Sequence, residues 1–378
     1  MRAPLLVLAV AAAAAVAVPD LAAQNSVYGI RGLGFPSRSV SVPGRALGGG
    51  TAAFDFASPV NPAAVAGFQQ VVALAMSSTD FRSYTIDTVA VSGRHATRFP
   101  LVLVGGRAGH LPIGYAVSFT SYTERSYDIT LTDTISLRDQ PVQVTDHMVS
   151  QGGTTDLRFA LGWQATSRFR VGAALHVISG SAKLALRREF SDSAYRPFIR
   201  TNDERADGMG VSAGLVWTPN DRVAIGLAGR TDTKASLKVD SLSSGAIDLP
   251  ISLVAGVQLM PHRAVRWSST ATWRSWSQAQ GDLVAHAFDT WEVGSGMELG
   301  GPESGASRIP VRLGFRYATL AFSPTDQQPH ELAFALGSGI VFADRRGVID
   351  VSLERVLRDG AGASERAWQL SVMMTVRP

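Results

Sequence analysis

The sequence predicts an all-β protein, a transmembrane antiparallel β-barrel of about fourteen strands, preceded by an N-terminal segment that lies inside or beneath it. Three observations predict this. Segments of about ten residues alternate apolar and polar side chains, the period that sends successive side chains to opposite faces of a strand. The connections between them alternate short and long, as barrel turns and outer loops do. The chain begins with an export signal and contains no later apolar run of the ~18 residues that marks a spanning helix.

The leader comes first. Arg2 precedes an apolar run from Leu5 to Val18, and Leu21-Ala22-Ala23 precedes Gln24. A positive start, a short apolar middle and small residues at the break make residues 1–23 a secretory signal peptide cleaved after Ala23. The run is too short for the ~20 residues of a membrane anchor. There are no cysteines, which excludes a lipid-anchored lipoprotein, disulfides and thiolate metal sites. Hydrophobic residues make up 46% and glycines number 37. For an exported chain without spanning helices, that composition fits a closed barrel better than a water-soluble domain. The net charge of +4 is carried almost wholly by arginine. These arginines alternate with apolar residues and do not cluster, so nucleic acid is excluded as a partner.

Residues 24–68 are rich in Gly, Ser, Pro and Ala and carry no strand alternation. Residues 69–378 carry the strands. They are expected near 69–79, 97–106, 112–122, 153–165, 168–179, 208–218, 221–231, 249–260, 264–276, 288–299, 308–319, 331–343, 347–357 and 365–376. Phe169, Val171, Ala173, Leu175 and Val177 share one face, and Arg170, Gly172, Ala174 and His176 the other. Val311, Leu313, Phe315 and Tyr317 alternate with Arg312, Gly314 and Arg316. Thr166-Ser167 and Pro219-Asn220 are tight turns, whereas the connections after the first, third, fifth, seventh and ninth strands are long. Counting the strand-like stretches Thr130–Leu137 and Lys183–Phe190 as spans would make sixteen strands. Trp163, Trp217, Trp267 and Phe342 are expected at one rim, and Trp273, Trp291, Tyr317 and Trp368 at the other, as two interfacial girdles.

The sequence contains no GxSxG, HExxH or P-loop. Its seven histidines are scattered without metal-ligand spacing. No catalytic residue, metal or cofactor is assigned, and the chain is not read as an enzyme. A Ser–His pair assembled across strands would leave no local signature. Arg158, Arg170, Arg222, Arg266, Arg312 and Arg316 fall on the lumen face, with Glu292, Glu298, Asp350 and Glu354. Charges inside a barrel must be paired or hydrated. They make either an ion-pair lattice bracing the wall or a basic lumen attracting anionic head groups, and the lattice is favoured.

The order Gly48-Gly49-Gly50, then Asn61-Pro62-Ala63, then a first strand resembles the N-terminal plug of the FadL-type outer-membrane transporters. The stretches Arg308–Tyr317, Glu331–Phe342 and Gly347–Arg355 are similar to that family's C-terminal strands. The resemblance implies a plug, or hatch, over residues 24–68, with Gly48, Gly49, Gly50 and Asn61, Pro62, Ala63 as gate motif. It implies passive transport of hydrophobic small molecules, such as long-chain fatty acids, across the outer membrane of a Gram-negative-type bacterium. The partners implied are outer-membrane lipid, a hydrophobic ligand and the barrel-assembly machinery. PorV-like members of the same architecture act instead with secreted proteins, in secretion or surface attachment. Two departures stand out: the chain ends Val376-Arg377-Pro378 without the usual terminal aromatic, and no fatty-acid site is matched in the long loops.

Overall fold

The computed structural model describes residues 26–86, 89–240, 242–281, 286–300, 309–343 and 346–377. The leader with its cleavage site after Ala23, and the terminal Pro378, lie outside the described residues. Fourteen wall strands follow one another: β1 Val72–Ile86, β2 Val89–Arg107, β3 Ile113–Glu124, β4 Gln140–Gln164, β5 Phe169–Phe190, β6 Phe198–Asn220 and β7 Val223–Asp232. They continue as β8 Ser252–His262, β9 Val265–Arg274, β10 Thr290–Leu299, β11 Val311–Thr319, β12 His330–Phe342, β13 Gly347–Gly360 and β14 Ala363–Val376. Each pairs antiparallel with the next, and β14 returns to β1 from Ala73↔Val376 to Ile86↔Ala363. The sheet closes on itself, which a strand wall in hydrocarbon requires.

All fourteen expected segments coincide with these strands. Sixteen is excluded. Lys183–Phe190 is the outer part of β5, and Thr130–Leu137 belongs to a strand, Tyr127–Leu137, that folds back on β4 from Leu137↔Gln140 to Tyr127↔Ser150. The connection after the first strand is expected to be long, but β1 runs to Ile86 and β2 starts at Val89. Ser77, Ser78, Thr79, Asp80 and Arg82 hide this strand from a reading by alternation. Above the lipid both faces of a strand can be polar, and the two-residue period fades while the ladder continues.

The facing follows the alternation. Leu175 is 60% exposed on the outside, whereas His176 beside it is 1% exposed inside. Leu313, Phe315 and Tyr317 are exposed, and Arg312 and Arg316 are buried. An outward apolar band of this kind suits acyl chains. Trp163, Trp217 and Trp267 stand exposed at the end with the short turns. At the other end Trp291 and Trp368 are exposed, and Trp273 pairs across the ladder with Trp291. On the last strand Trp368, Leu370 and Val372 face out.

Candidate functional site

The N-terminal segment packs against the inner face of the wall. Glu365 on β14 accepts hydrogen bonds from the Ser26 hydroxyl (2.8 Å) and the Val27 N–H (3.0 Å). The Tyr28 hydroxyl donates to the carbonyl of Ala363 (2.6 Å) at the turn between β13 and β14. From there the chain crosses the interior, and Phe35–Pro36 pairs with Glu124 and Thr123 of β3. A one-turn helix, Val42–Ala46, starts at Ser41, whose Oγ accepts from the Gly44 N–H (3.1 Å). A 3-10 turn, Pro62–Gly67, is capped by Asn61, whose Oδ1 accepts from the Ala63 N–H (3.0 Å).

The wall is built to receive this segment. Inward positions on successive strands are glycine: Gly114 on β3, Gly162 on β4, Gly172 on β5, Gly214 on β6, Gly226 on β7 and Gly256 on β8. Several face one another directly, as in Gly114↔Gly162↔Gly172↔Gly214. A side chain there would strike the segment's backbone: a Cβ at Gly114 would lie 2.0 Å from the Val65 carbonyl oxygen. At the opposite side Gly48 adopts φ of +63° against Phe315, and a Cβ on Gly314 would lie 2.1 Å from the Gly48 nitrogen. Gly49 sits beside the Arg38–Glu292 pair, and the Gly50 carbonyl accepts from Thr270 Oγ1 (2.7 Å). The Asn61 amide ties the other side down, donating to the Ala53 carbonyl (2.8 Å) and to Leu215 of β6 (3.1 Å). Pro62 abuts Gly172, and Ala63 is fully buried. The two expected motifs therefore touch different arcs of the wall: Gly48–Gly50 meets β9–β11, and Asn61–Ala63 meets β5 and β6.

The predicted lumen charges form a lattice. Arg38 bridges Glu292 (3.4 Å) and Glu354 (3.0 Å), and Glu354 also approaches Arg45 (3.7 Å) and Arg316 (3.8 Å). Arg316 pairs with Glu331, Glu331 with Arg358 (2.6 Å), and Arg358 with Glu365. Arg82 joins Glu365 (2.8 Å) to Asp80, and Arg98 joins Asp80 to Glu124. The alternation of sign is unbroken from β10 through the closure to β3. A second group holds Arg312 between Glu298 (2.6 Å) and Asp350 (2.7 Å), with Arg266 on Glu298 (3.6 Å). Burial lowers the pKa of Arg45, and Glu354 opposes the shift. Arg170 lies against Gly67 of the segment. Arg158, 1% exposed, has no hydrogen-bond partner for its guanidinium among the described residues. Arg222 departs from the expectation: it is exposed at the turn before β7, where the wall ends.

The wall is split at one place. The β2–β3 ladder stops at Leu101↔Thr120. Above it Pro100 has no N–H to donate, and β2 continues with β1 alone. Tyr122 is an extra residue in β3, between Ser121↔Thr155 and Thr123↔Thr154, and this bulge turns the strand inward. There Phe35–Pro36 supplies the pairing that β2 does not, and Arg98 spans the split to Glu124. Exposed Phe99 and Phe119 flank it on the outside.

Beside the bulge lies a cavity of about 100 Å³. Arg38, Val60, Tyr122, His176, Ser212 and Arg230 contribute to its lining. His176 Nδ1 lies 2.9 Å from Asp156 and its Nε2 2.9 Å from Ser212 Oγ. Arg230 pairs with Asp156 (2.6 Å) and Asp232 (2.9 Å), and the Tyr122 hydroxyl donates to Asp232 (3.4 Å). Sequence reasoning places His176 on the inner face but misses its partners. Asp156 and Ser212 come from neighbouring strands, and only the register brings them together; inward parity is the single sequence signal they carry.

No protein-family model and no curated protein sequence matches the chain. Solved structures do match. A Pseudomonas aeruginosa FadL homologue aligns over 91% of this chain and 99% of its own, at 14% identity and TM-score 0.62. The CymD monoaromatic hydrocarbon channel aligns over 90% and 98%, at 15% identity and TM-score 0.57. The Pseudomonas putida toluene transporter TodX aligns over 90% and 99%, at 12% identity and TM-score 0.58. These likenesses span nearly the whole of each partner. The chain is a fourteen-stranded β-barrel with the fold of the FadL-type outer-membrane transporters.

Proposed function

We propose that the chain is an outer-membrane barrel for passive transport of hydrophobic small molecules, with residues 26–68 as its plug. The observation that carries this is the β2–β3 split, because it joins the plugged lumen to the lipid-facing surface where an apolar solute would leave. A solute entering among the outer extensions would reach the cavity beside Tyr122. Displacement of Phe35–Pro36 would then open the split between Phe99 and Phe119. The named activities of TodX and CymD, toluene and monoaromatic hydrocarbon passage, support the same solute class. A cavity of about 100 Å³ is smaller than the ~150 Å³ void that binds benzene in an engineered core. This conformation is therefore closed, and a long acyl chain would need the plug to move.

Gating is testable at the segment's own anchor. Asn61 ties the segment to β6 through the Leu215 carbonyl (3.1 Å) and caps the Pro62–Gly67 turn through the Ala63 N–H (3.0 Å). Asn61→Ala removes both bonds at a cost of about 0.5–2 kcal/mol, so toluene flux in proteoliposomes is expected to rise. Flux equal to the wild type's, in a barrel whose residues 26–68 have become open to protease, would sink the gating.

The arginine-lined interior and small cavity favour a second reading, a PorV-like barrel that serves secreted proteins and passes no solute. That reading predicts no flux in the wild type or in Asn61→Ala, and co-purification with large exported proteins.

A further inference from the structure

We propose that Asp156, His176 and Ser212 form an ester-cleaving triad inside the barrel, acting on small carboxylic esters that enter the cavity beside Tyr122. The reading does not depend on transport, because it is measured on the purified barrel without any membrane flux.

The geometry is that of a nucleophile, a base and its orienting acid in series. Ser212 Oγ and His176 Nε2 are 2.9 Å apart, and His176 Nδ1 and Asp156 are 2.9 Å apart. Asp156 accepts the Nδ1 proton, which leaves Nε2 as acceptor for the serine hydroxyl. All three are buried, at 4%, 1% and 7% exposure, so the tautomer is held by packing. They stand on three successive strands, β4, β5 and β6, which fixes their spacing more rigidly than a loop would. His176 and Ser212 both line the cavity, so the nucleophile faces a space and not a packed core.

One donor beside the nucleophile is unspent. Arg230 sits directly across the ladder from Ser212, and its Nη2 is buried without a hydrogen-bond partner among the described residues. Its other nitrogens are held by Asp156 and Asp232. A fixed, unspent cationic N–H beside the nucleophile is what a developing oxyanion needs.

The step balances with water as the only co-reactant. Ser212 Oγ attacks the ester carbonyl carbon while its proton passes to His176 Nε2. The tetrahedral oxyanion, held by Arg230, collapses; the bond to the alcohol oxygen breaks, and the alcohol departs with that proton. Water then attacks the acyl–serine ester, giving its proton to His176. Collapse returns the proton to Ser212 and releases the carboxylic acid. The cavity's about 100 Å³ limits the acyl part to a short chain.

The test uses the full-length barrel in detergent with methyl acetate, its hydrolysis followed by acid release, and the small serine-reactive probe methanesulfonyl fluoride followed by peptide mapping. The wild type is expected to cleave the ester about 10²-fold or more faster than S212A and to carry the probe on Ser212. D156N acts through the histidine, so kcat should fall by a similar factor with KM little changed. Lost packing would instead alter the heat-modifiable migration of the folded barrel. Should S212A fail to fold, the probe on the wild type decides alone. Equal rates in folded wild type and S212A, or a probe found only on other residues, would overturn the triad.

Discussion

Replacing Gly314 by valine is expected to unseat the plug and raise solute flux through an otherwise intact barrel. A Cβ there would lie 2.1 Å from the Gly48 nitrogen, 2.3 Å from the Leu47 carbonyl carbon and 2.7 Å from the Ala46 oxygen. These are backbone atoms, and no side-chain rotamer relieves the clash. Gly48 itself, in a left-handed conformation against Phe315, has no room to retreat. Overpacking of this kind costs about 1–3 kcal/mol. If that cost falls on the closed state alone, it shifts the closed-to-open ratio about 5–150-fold. Valine also suits a strand, so the wall itself should assemble. Toluene flux in proteoliposomes, with protease access to residues 26–68, measures the effect. A G314V barrel whose N-terminal segment becomes open to protease while its flux equals the wild type's would show that the segment does not gate.

Glu354→Ala is expected to give the largest loss of stability. Glu354 is fully buried and stands among Arg38, Arg45 and Arg316, two of them from the N-terminal segment and one from the wall. Its removal leaves those guanidinium groups desolvated around a missing negative charge. Breaking a buried ion pair from one side costs about 3–5 kcal/mol, far more than an exposed pair. Glu292, Glu331 and Gln369 keep contact with these arginines, so the barrel should survive with a lowered unfolding temperature. Because Arg38 and Arg45 belong to the N-terminal segment, the same variant should expose residues 26–68 to protease. Thermal unfolding in detergent and limited proteolysis read the two effects separately. Wild-type stability with a protected segment would mean the lattice contributes little beyond filling the lumen.

Much of this was legible before any coordinates. The strand-by-strand alternation of Phe169–Val177 and Val311–Tyr317 reports which face meets lipid, because a two-residue period leaves each side chain one choice of side. The lumen arginines at positions 158, 312 and 316 follow from the same parity. The outer halves of β1 and β2 were not legible. Their side chains leave the apolar band, and hydration of both faces removes the contrast on which periodicity depends. Pro100 lacks a donor wherever it sits, but only the closed sheet shows which neighbour it releases.

The candidate site divides in the same way. His176 was placed on the inner face by its position between Leu175 and Val177, yet nothing local joins it to Asp156 and Ser212. Their association depends on interstrand register, which the turns and long extensions set over a distance no motif spans. The wall glycines behave similarly. Gly162, Gly172 and Gly314 read as small inward residues, and only the seated segment explains why a methyl group there would not fit.

The sequence by itself determined a barrel of about fourteen strands, the facing of most wall positions and the apolar band, since these are consequences of local chain geometry in a two-sided environment; only the closed sheet decided fourteen over sixteen. The tertiary structure decided what fills the barrel and what the inward groups do. Closure brings β1 to β14, runs the ion pairs around the lumen, opens the wall between β2 and β3, and sets a serine, a histidine and an aspartate within hydrogen-bond reach. Those outcomes depend on contacts between residues far apart in the chain, and their geometry exists only once the sheet has closed around its own N-terminus.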